Sequence, residues 1–303
     1  MIPATKRRAE VSVVEWPTIL LVIANYGVWF AAMIITATAA WGWIALPFLI
    51  LATTLHASLQ HEALHGHPTR NIAVNELLVF LPIGLFIPYR RMKTLHLRHH
   101  RDETLTDPYE DPESFYRPQA EWGRYSAVFR AILNANNTLV GRIVLGPALS
   151  LFGFWRDDAK LAFAGDEKVI VAWSRHLIGL AIVFAILVVL GVSLPLYILA
   201  VAYPAMSLLM VRTFAEHQAD DDPHGRTVIV EKGGLWGFLF LNNHLHVVHH
   251  EQPRAPWYKL PSIYAADRER FHQKNGGYVV PSYGALFSAY AFRRKEAVPH
   301  PTV

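Results

Sequence analysis

The sequence predicts an all-α integral membrane protein with four transmembrane helices in two hairpins and a helical cap on the cytoplasmic face. Two blocks carry this prediction, because residues 16–60 and residues 176–211 contain no Asp, Glu, Lys or Arg. A transmembrane helix needs about 20 mostly apolar residues, so each block is long enough for two spans. The 303-residue chain is 52% apolar, which a large soluble core also allows. The clustering of the apolar residues therefore decides the fold class.

Breaks inside the two blocks divide each of them into a hairpin. In the first block, Gly42 lies between two tryptophans, a residue type enriched at membrane interfaces. In the second block, Gly191 and Pro195 interrupt the helical pattern. We therefore predict a single domain of residues 1–303 with spans at residues 16–40, 43–59, 173–190 and 196–211.

Basic residues predict the side of the membrane that each segment faces. Cytoplasmic segments next to spans collect Lys and Arg, and here such residues lie outside the uncharged hairpin turns. They are Lys6, Arg7, Arg8, Arg90, Arg91, Lys93, Arg98, Arg101 and Arg212. We therefore expect both termini and the segments 60–172 and 212–303 in the cytoplasm. The expected location is a bacterial inner membrane, with the active site on its cytoplasmic side.

Two further apolar stretches are predicted not to cross the membrane. Residues 77–89 are uncharged but short, and Pro82 and Gly84 interrupt them, so we expect a re-entrant or interfacial segment. Residues 128–155 alternate apolar patches with polar residues such as Arg142, which predicts a pair of interfacial amphipathic helices.

Composition excludes several classes of site and partner. The chain has no cysteine, which excludes disulfides, thiolate metal ligands and cysteine-held iron–sulfur clusters within it. A net charge of +4 fits contact with anionic lipid headgroups. No basic stripe of the nucleic-acid-binding kind occurs, so nucleic acid is not an expected partner.

Eight of the 16 histidines fall into three tight groups. These groups are HEALH with His61 and His65, HLRHH with His96, His99 and His100, and HVVHH with His246, His249 and His250. Helical residues three or four apart share one face. Each HxxHH group therefore presents a pair of imidazoles and an adjacent ring that can reach a second metal ion.

The predicted topology brings all three groups to the same membrane face. No full span separates the first two groups, and two spans separate the second from the third. Imidazole suits Zn, Cu, Fe and Ni. A zinc site takes four ligands, so eight converging histidines indicate at least two ions. The isolated histidines are expected to be packing residues: His56, His67, His176, His224, His272 and His300.

The three groups, at these positions relative to two hairpins, resemble the membrane fatty acid desaturase superfamily, which includes hydroxylases, alkane monooxygenases and carotenoid ketolases. The resemblance covers residues 55–263 and includes HHEQPRAPWYKLP at 249–261. It implies two irons, O2 as co-substrate and a separate electron donor. It also implies a ninth ligand, His217 in TFAEH, for which spacing alone leaves the role open.

The resemblance implies that the nine histidines are both metal ligands and catalytic residues, and it favours a desaturase acting on the fatty acyl chain of a lipid. HEALHG and DPES also resemble carotenoid ketolases and other hydroxylating members. A hydroxylase, a ketolase or an alkane-type monooxygenase therefore remains an alternative. The electron donor is expected to be a separate protein, because the chain has neither cysteines nor a dinucleotide fingerprint. The sequence leaves open whether it is a ferredoxin, a rubredoxin or a cytochrome.

A zinc protease is the alternative from a different class. HEALH satisfies H-E-x-x-H, in which Glu62 would be the general base, but this leaves the other two groups without a role. Metal-bound imidazoles usually donate their second N–H to a carboxylate or carbonyl. The candidates near the histidine groups are Asp102, Asp107, Asp111, Glu216, Glu251, Asn242 and Asn243.

Overall fold

A computed structural model describes residues 14–301 and 303 as a mostly helical protein. The basic residues predicted to precede the first span, Lys6, Arg7 and Arg8, lie outside the described residues. Five helical segments of the described chain are long and apolar enough to cross a membrane. The prediction of exactly two hairpins with four spans is therefore not confirmed by length and composition alone.

The first hairpin consists of α1 (Trp16–Thr38) and α2 (Leu46–Leu64), joined through a 3₁₀ turn at Gly42–Ala45. The turn lies at the predicted break. A Cβ atom on Gly42 would lie 2.6 Å from the carbonyl oxygens of Ile35 and Thr36, so the close return of the chain requires glycine there. Helix α2 extends five residues past the predicted end at residue 59, and it thereby includes His61.

The second apolar block forms α8 (Glu167–Leu190), followed by α9 (Leu194–Tyr197), a π-helical turn (Ile198–Ala202) and α10 (Tyr203–Glu216). The side chain of Asp166 caps α8, and Gly191 ends it at φ +72°, a conformation that glycine adopts without a Cβ penalty. The break between the two helical segments therefore lies where glycine and proline predict it.

The apolar stretch at residues 77–89 does not form a long helix. Helix α3 (Ile72–Leu78) ends two residues into this stretch. The chain that follows is irregular, and it is buried at Val79 and Ile83. Side chains satisfy its carbonyl groups, because Tyr197 Oη donates to Ile83 and the ring of His176 donates to Leu85. Buried backbone polar groups need such partners. The irregular segment is therefore held within the helix bundle by specific hydrogen bonds.

The predicted pair of helices at residues 128–155 is present as α6 (Ala127–Asn136) and α7 (Leu139–Phe163). Helix α7 is longer than expected. With 25 residues it is a candidate span in addition to the four predicted ones. Its mean hydropathy of 1.2 is the lowest of the five, and four charged residues follow its apolar part at positions 156–160. For that reason sequence patterning underestimated its length.

Short elements cover the ends of α2 and α10. In chain order they are α4 (Tyr89–His99), α5 (Gln119–Trp122), β1 (Ile229–Lys232), α11 (Gly234–Leu239), α12 (His246–Glu251), α13 (Leu260–Ala266), α14 (Arg268–Lys274), β2 (Val279–Ser282) and α15 (Tyr283–Tyr290). Strands β1 and β2 pair in parallel, with Ile229 opposite Val279. A buried apolar cluster that includes Leu59, Phe214 and Phe240 joins α4, β1, α11 and α15 to α2 and α10.

Candidate metal centre

Helix ends deliver all nine predicted histidines to one region. His61 lies in the last turn of α2 and His65 directly follows it. His217 directly follows α10. The other six belong to α4, its C-terminal cap and α12: His96, His99, His100, His246, His249 and His250. The convergence that sequence topology predicts is therefore present in the fold.

The nine rings form two groups, within each of which the ligand-type atoms all lie within 4.8 Å of one another. The first, here called the five-histidine group, contains His61, His65, His96, His100 and His249. The second, the four-histidine group, contains His99, His217, His246 and His250. Each HxxHH segment contributes its i, i+4 pair to one group and its remaining histidine to the other, as helical spacing predicts.

The Nε2 atoms within each group face one another at short range. In the five-histidine group, His96 Nε2 lies 2.9 Å from that of His61, 3.1 Å from that of His65 and 2.9 Å from that of His100. In the four-histidine group, His217 Nε2 lies 3.0 Å from that of His99 and 2.9 Å from that of His246. His96 and His217 are thus the central members of their groups.

Carboxylates fix the tautomer of three of these rings. The Nδ1 atoms of His99 and His96 lie 2.8 Å from Asp111 and 2.8 Å from Glu113 respectively. His250 Nδ1 lies 3.1 Å from Asp102. An ionised carboxylate only accepts hydrogen bonds, so Nδ1 carries the proton in each ring. When such a ring is neutral, its Nε2 lone pair points into the group.

The Nδ1 atoms of two further rings, His246 and His217, contact other oxygen atoms. His246 Nδ1 donates to Asn243 Oδ1 at 3.2 Å and lies 3.4 Å from the Glu216 carboxylate, which also accepts from the Asn243 amide. His217 Nδ1 donates to the carbonyl oxygen of Arg226 at 3.1 Å. Hydrogen bonds of this kind orient metal-binding imidazoles and raise their basicity.

Burial keeps most of these rings neutral. It lowers the pKa of His65, His217 and His249 well below the ordinary value, and neighbouring histidines add to the effect. Burial lowers the pKa of His250 to about 4 although Asp102 opposes it. His99 differs: burial lowers its pKa, but the carboxylates of Glu113 and Asp111 outweigh burial and raise it to about 9. A metal ion therefore has to displace a proton from that ring.

The donor set fits metal ions. Lone pairs that face each other near 3 Å repel unless a cation lies between them, and the fixed Nδ1 protons leave the neutral rings of His96 and His250 no Nε2 proton to donate. Nitrogen ligands about 2.0–2.1 Å from one ion and at right angles to each other lie about 2.9 Å apart. The observed separations between Nε2 atoms match this value.

Of the orienting residues expected from sequence, Asp102, Asp111, Glu216 and Asn243 contact the rings. The other three do other work: Asp107 accepts from backbone amides, Glu251 pairs with Arg270 and Lys274, and Asn242 donates to the carbonyl of Trp257. Sequence reasoning missed Glu113 and the Arg226 carbonyl. Glu113 belongs to the quoted DPES segment, two residues after Asp111, which was the available signal.

A family model for fatty acid desaturases matches residues 36–282. The chain belongs to the fatty acid desaturase family. This match confirms the resemblance drawn from the three histidine groups, and it makes the protein an oxidoreductase of the desaturase or hydroxylase type. No curated protein sequence matches the chain significantly.

The isolated histidines of this desaturase-family protein make ordinary structural contacts. His56 bonds the Tyr26 hydroxyl at 2.9 Å, His67 bonds Glu15 at 2.7 Å and His272 bonds Glu231 at 2.9 Å. None of the isolated histidines among the described residues belongs to either histidine group. One further buried histidine, His244, escaped sequence reasoning and packs against Gly233.

The H-E-x-x-H alternative finds no support in the geometry. Glu62 is buried and accepts a hydrogen bond from the backbone amide of Trp257 at 3.2 Å, and it belongs to neither histidine group. His61 and His65 share their group with three further histidines. A single-zinc protease site would leave those three, and the whole four-histidine group, without a role.

Proposed function

We propose that the desaturase-family protein is an oxygen-dependent di-iron oxidoreductase that introduces a double bond into the fatty acyl chain of a lipid. The observation that carries this proposal is the pair of adjacent all-histidine groups, which share the two HxxHH segments. The proposed ligands are His61, His65, His96, His100 and His249 for one iron, and His99, His217, His246 and His250 for the other.

The proposed roles of the protein groups follow from their contacts. Bound iron supplies the activation of O2 and the oxidising power for an unactivated C–H bond. Asp111, Glu113 and Asp102 hold the Nδ1 protons and keep the Nε2 lone pairs aimed inward. Burial of the surrounding side chains excludes water, which strengthens electrostatic interactions in the site and limits side reactions.

A lipid substrate is supported by the setting of the site. His61 lies in the last turn of the apolar helix α2, and buried apolar residues of α2 and α10, such as Leu59 and Val211, extend from the centre toward the apolar bundle. An acyl chain that dissolves in the bilayer can thus approach from the membrane side. Electrons are proposed to come from a separate protein, because the cysteine-free chain cannot hold a cysteine-ligated cluster.

We further propose that four of the five candidate helices cross the membrane and that α7 lies along its surface. His99 and His217 lie 3.0 Å apart although α7, α8 and the α9–α10 segment separate them in sequence. A chain that returns to the same face crosses an even number of times. One of those three segments therefore does not cross.

The contacts at both ends of α7 support its assignment as the surface helix. Near its start, Arg142 packs 3.6 Å from the centre of the Phe115 ring, in the segment that carries Asp111 and Glu113. Near its end, Asp158 bonds Arg91 of α4 at 2.8 Å and Trp173 in the early part of α8 at 2.8 Å. Both ends thus meet elements on the side of the histidine groups. With basic residues such as Arg91 on that side, we propose that it faces the cytoplasm of a bacterial cell.

Lipid profiling of cells that express the chain tests the proposed reaction. The product of a desaturase has lost two hydrogens, whereas the product of a hydroxylase or ketolase has gained oxygen, and mass spectrometry separates them. His249→Ala is expected to abolish the product and lower iron content while the protein still inserts in membranes. His224→Ala is the matched control, because that ring is exposed and pairs with Asp222 away from both groups. Full turnover by His249→Ala would contradict the proposed ligation.

A further inference from the structure

Lys295 is a buried cation at the C-terminal end of α10. Its side chain is 7% exposed, and its Nζ donates to the carbonyl of Phe214 at 2.9 Å and to the carbonyl of His217. The last carbonyl groups of a helix lack intrahelical partners, and a cation there also interacts favourably with the helix dipole. Lys295 therefore stabilises the helix end from which His217 emerges.

His217 is the central member of the four-histidine group and lies just past the end of α10. Its Nε2 atom contacts those of both His99 and His246. It lies beyond the last helical residue, in extended conformation. The carbonyl of Arg226 fixes its ring, and Lys295 fixes its backbone.

The segment that carries Lys295 also forms hydrogen bonds with the loop that contains Asp111, the residue that orients His99. The backbone of Arg117 exchanges hydrogen bonds with Val298 and His300 at 3.0 and 2.9 Å. The His300 ring bonds the Thr106 hydroxyl at 3.1 Å, and the Thr106 amide donates to Asp111.

A third contact is made by Glu296, the residue next to Lys295. Glu296 Oε2 accepts from the amide of Ala219, two residues after His217, at 3.1 Å. Residues 291–301, here called the C-terminal segment, thus contact both sides of the four-histidine group. The segment lies beyond residues 36–282, which the family model covers.

We propose that the C-terminal segment is a working part of the metal centre and that Lys295 is a positioning residue that holds His217 for the second metal ion. This inference rests on the ligation proposed above. Lys295 does not touch the metal ligand atoms; it acts through the main chain of His217.

Cobalt(II) binding to the purified full-length apoprotein tests this role without relying on turnover. The variant is Lys295→Met, which keeps chain length and removes the cation. Arg294→Met is the matched control, because the neighbouring Arg294 is exposed and bonds Asn134 instead. Lys295→Arg is the conservative variant, since a guanidinium can still donate to two carbonyl oxygens.

We expect the wild type and Arg294→Met to bind two cobalt ions. Lys295→Met should bind one ion normally and the other about 10–100-fold more weakly, the loss typical of removing support from a metal ligand. Lys295→Arg should regain most of the affinity for the second ion. The weakened site should also be visible in the cobalt absorption spectrum.

Thermal unfolding with and without cobalt separates a local role from a general one. If Lys295 positions His217, Lys295→Met reduces the rise in Tm that saturating cobalt gives to the wild type. An equal fall in Tm with and without cobalt, or two ions bound as in the wild type, overturns the inference. If Lys295→Met does not fold, the same measurement on Lys295→Leu, which also removes the donor, decides. A wild type that binds no cobalt contradicts the proposed ligation itself.

Discussion

Asp111 joins His99 to the backbone of its own loop: one carboxylate oxygen accepts from His99 Nδ1 at 2.8 Å and the other accepts from the amide of Thr106 at 2.9 Å. The same side chain also accepts from the amide of Glu113. One buried carboxylate therefore sets both the ring orientation of a proposed ligand and the fold of the loop beside it.

Asp111→Asn should weaken metal binding by the four-histidine group about 10–100-fold. An amide offers one oxygen where the site presents N–H donors to both carboxylate oxygens, so one donor loses its acceptor. Metal titration of the apoprotein measures the effect. Asp107→Asn is the control, because Asp107 accepts only from two nearby amides through one oxygen. Equal affinities in the two variants would rule out the orienting role.

Arg91→Met should destabilise the protein by about 3–5 kcal/mol, because it leaves a buried carboxylate without its cation. Arg91 and Asp158 form three hydrogen bonds of 2.8, 2.9 and 3.1 Å, and their side chains are 9% and 3% exposed. Unfolding in detergent measures the change. The double variant Arg91→Met/Asp158→Leu should recover part of the loss. A double variant no more stable than Arg91→Met would contradict the pairing of α4 with α7.

Labelling of single cysteines tests the placement of α7 along the membrane surface, and the cysteine-free chain gives a clean background. Ala127→Cys and Lys168→Cys flank α6 and α7 at exposed positions, and Ala40→Cys lies in the first hairpin turn. In intact cells, an impermeant maleimide should label only Ala40→Cys. All three should react after permeabilisation. Labelling of Lys168→Cys without Ala127→Cys in intact cells would mean that α7 crosses the bilayer.

Glu231→Gln should lower stability at neutral pH and make it less sensitive to acid. Burial raises the pKa of Glu231, but hydrogen bonds from Tyr264, Arg268 and His272 outweigh burial and hold the pKa below the ordinary 4.5. A carboxyl group with a lowered pKa stabilises the fold above its ordinary pKa, and this contribution is lost as pH falls through the folded value. The gap in unfolding free energy between wild type and variant should therefore shrink below pH 4.5. Glu269→Gln, at an exposed position on α14, should show no such gap.

The sequence predicts those parts of this centre that follow a helical spacing or an apolar block. Histidines three and four residues apart on a helix are recognisable from their spacing. The even number of predicted spans between HEALH and HVVHH predicts that both lie on one face of the membrane. Contacts from irregular chain have no such signature. Glu113 lies in a loop, the Arg226 carbonyl is main chain, and Lys295 arrives from 78 residues beyond His217. The length of α7 was underestimated because the charged residues at 156–160 interrupt its apolar pattern.

The two histidine groups are structurally coupled, because the HxxHH segments at α4 and α12 each supply rings to both. A shift of either helix displaces ligands of two ions at once, so filling the first position preorganises the second. Metal uptake should consequently be cooperative, with few molecules carrying a single ion at half saturation. The interleaved HxxHH segments thereby favour a fully loaded or an empty centre over a half-loaded one, which could not supply both metal ions for the proposed chemistry on O2.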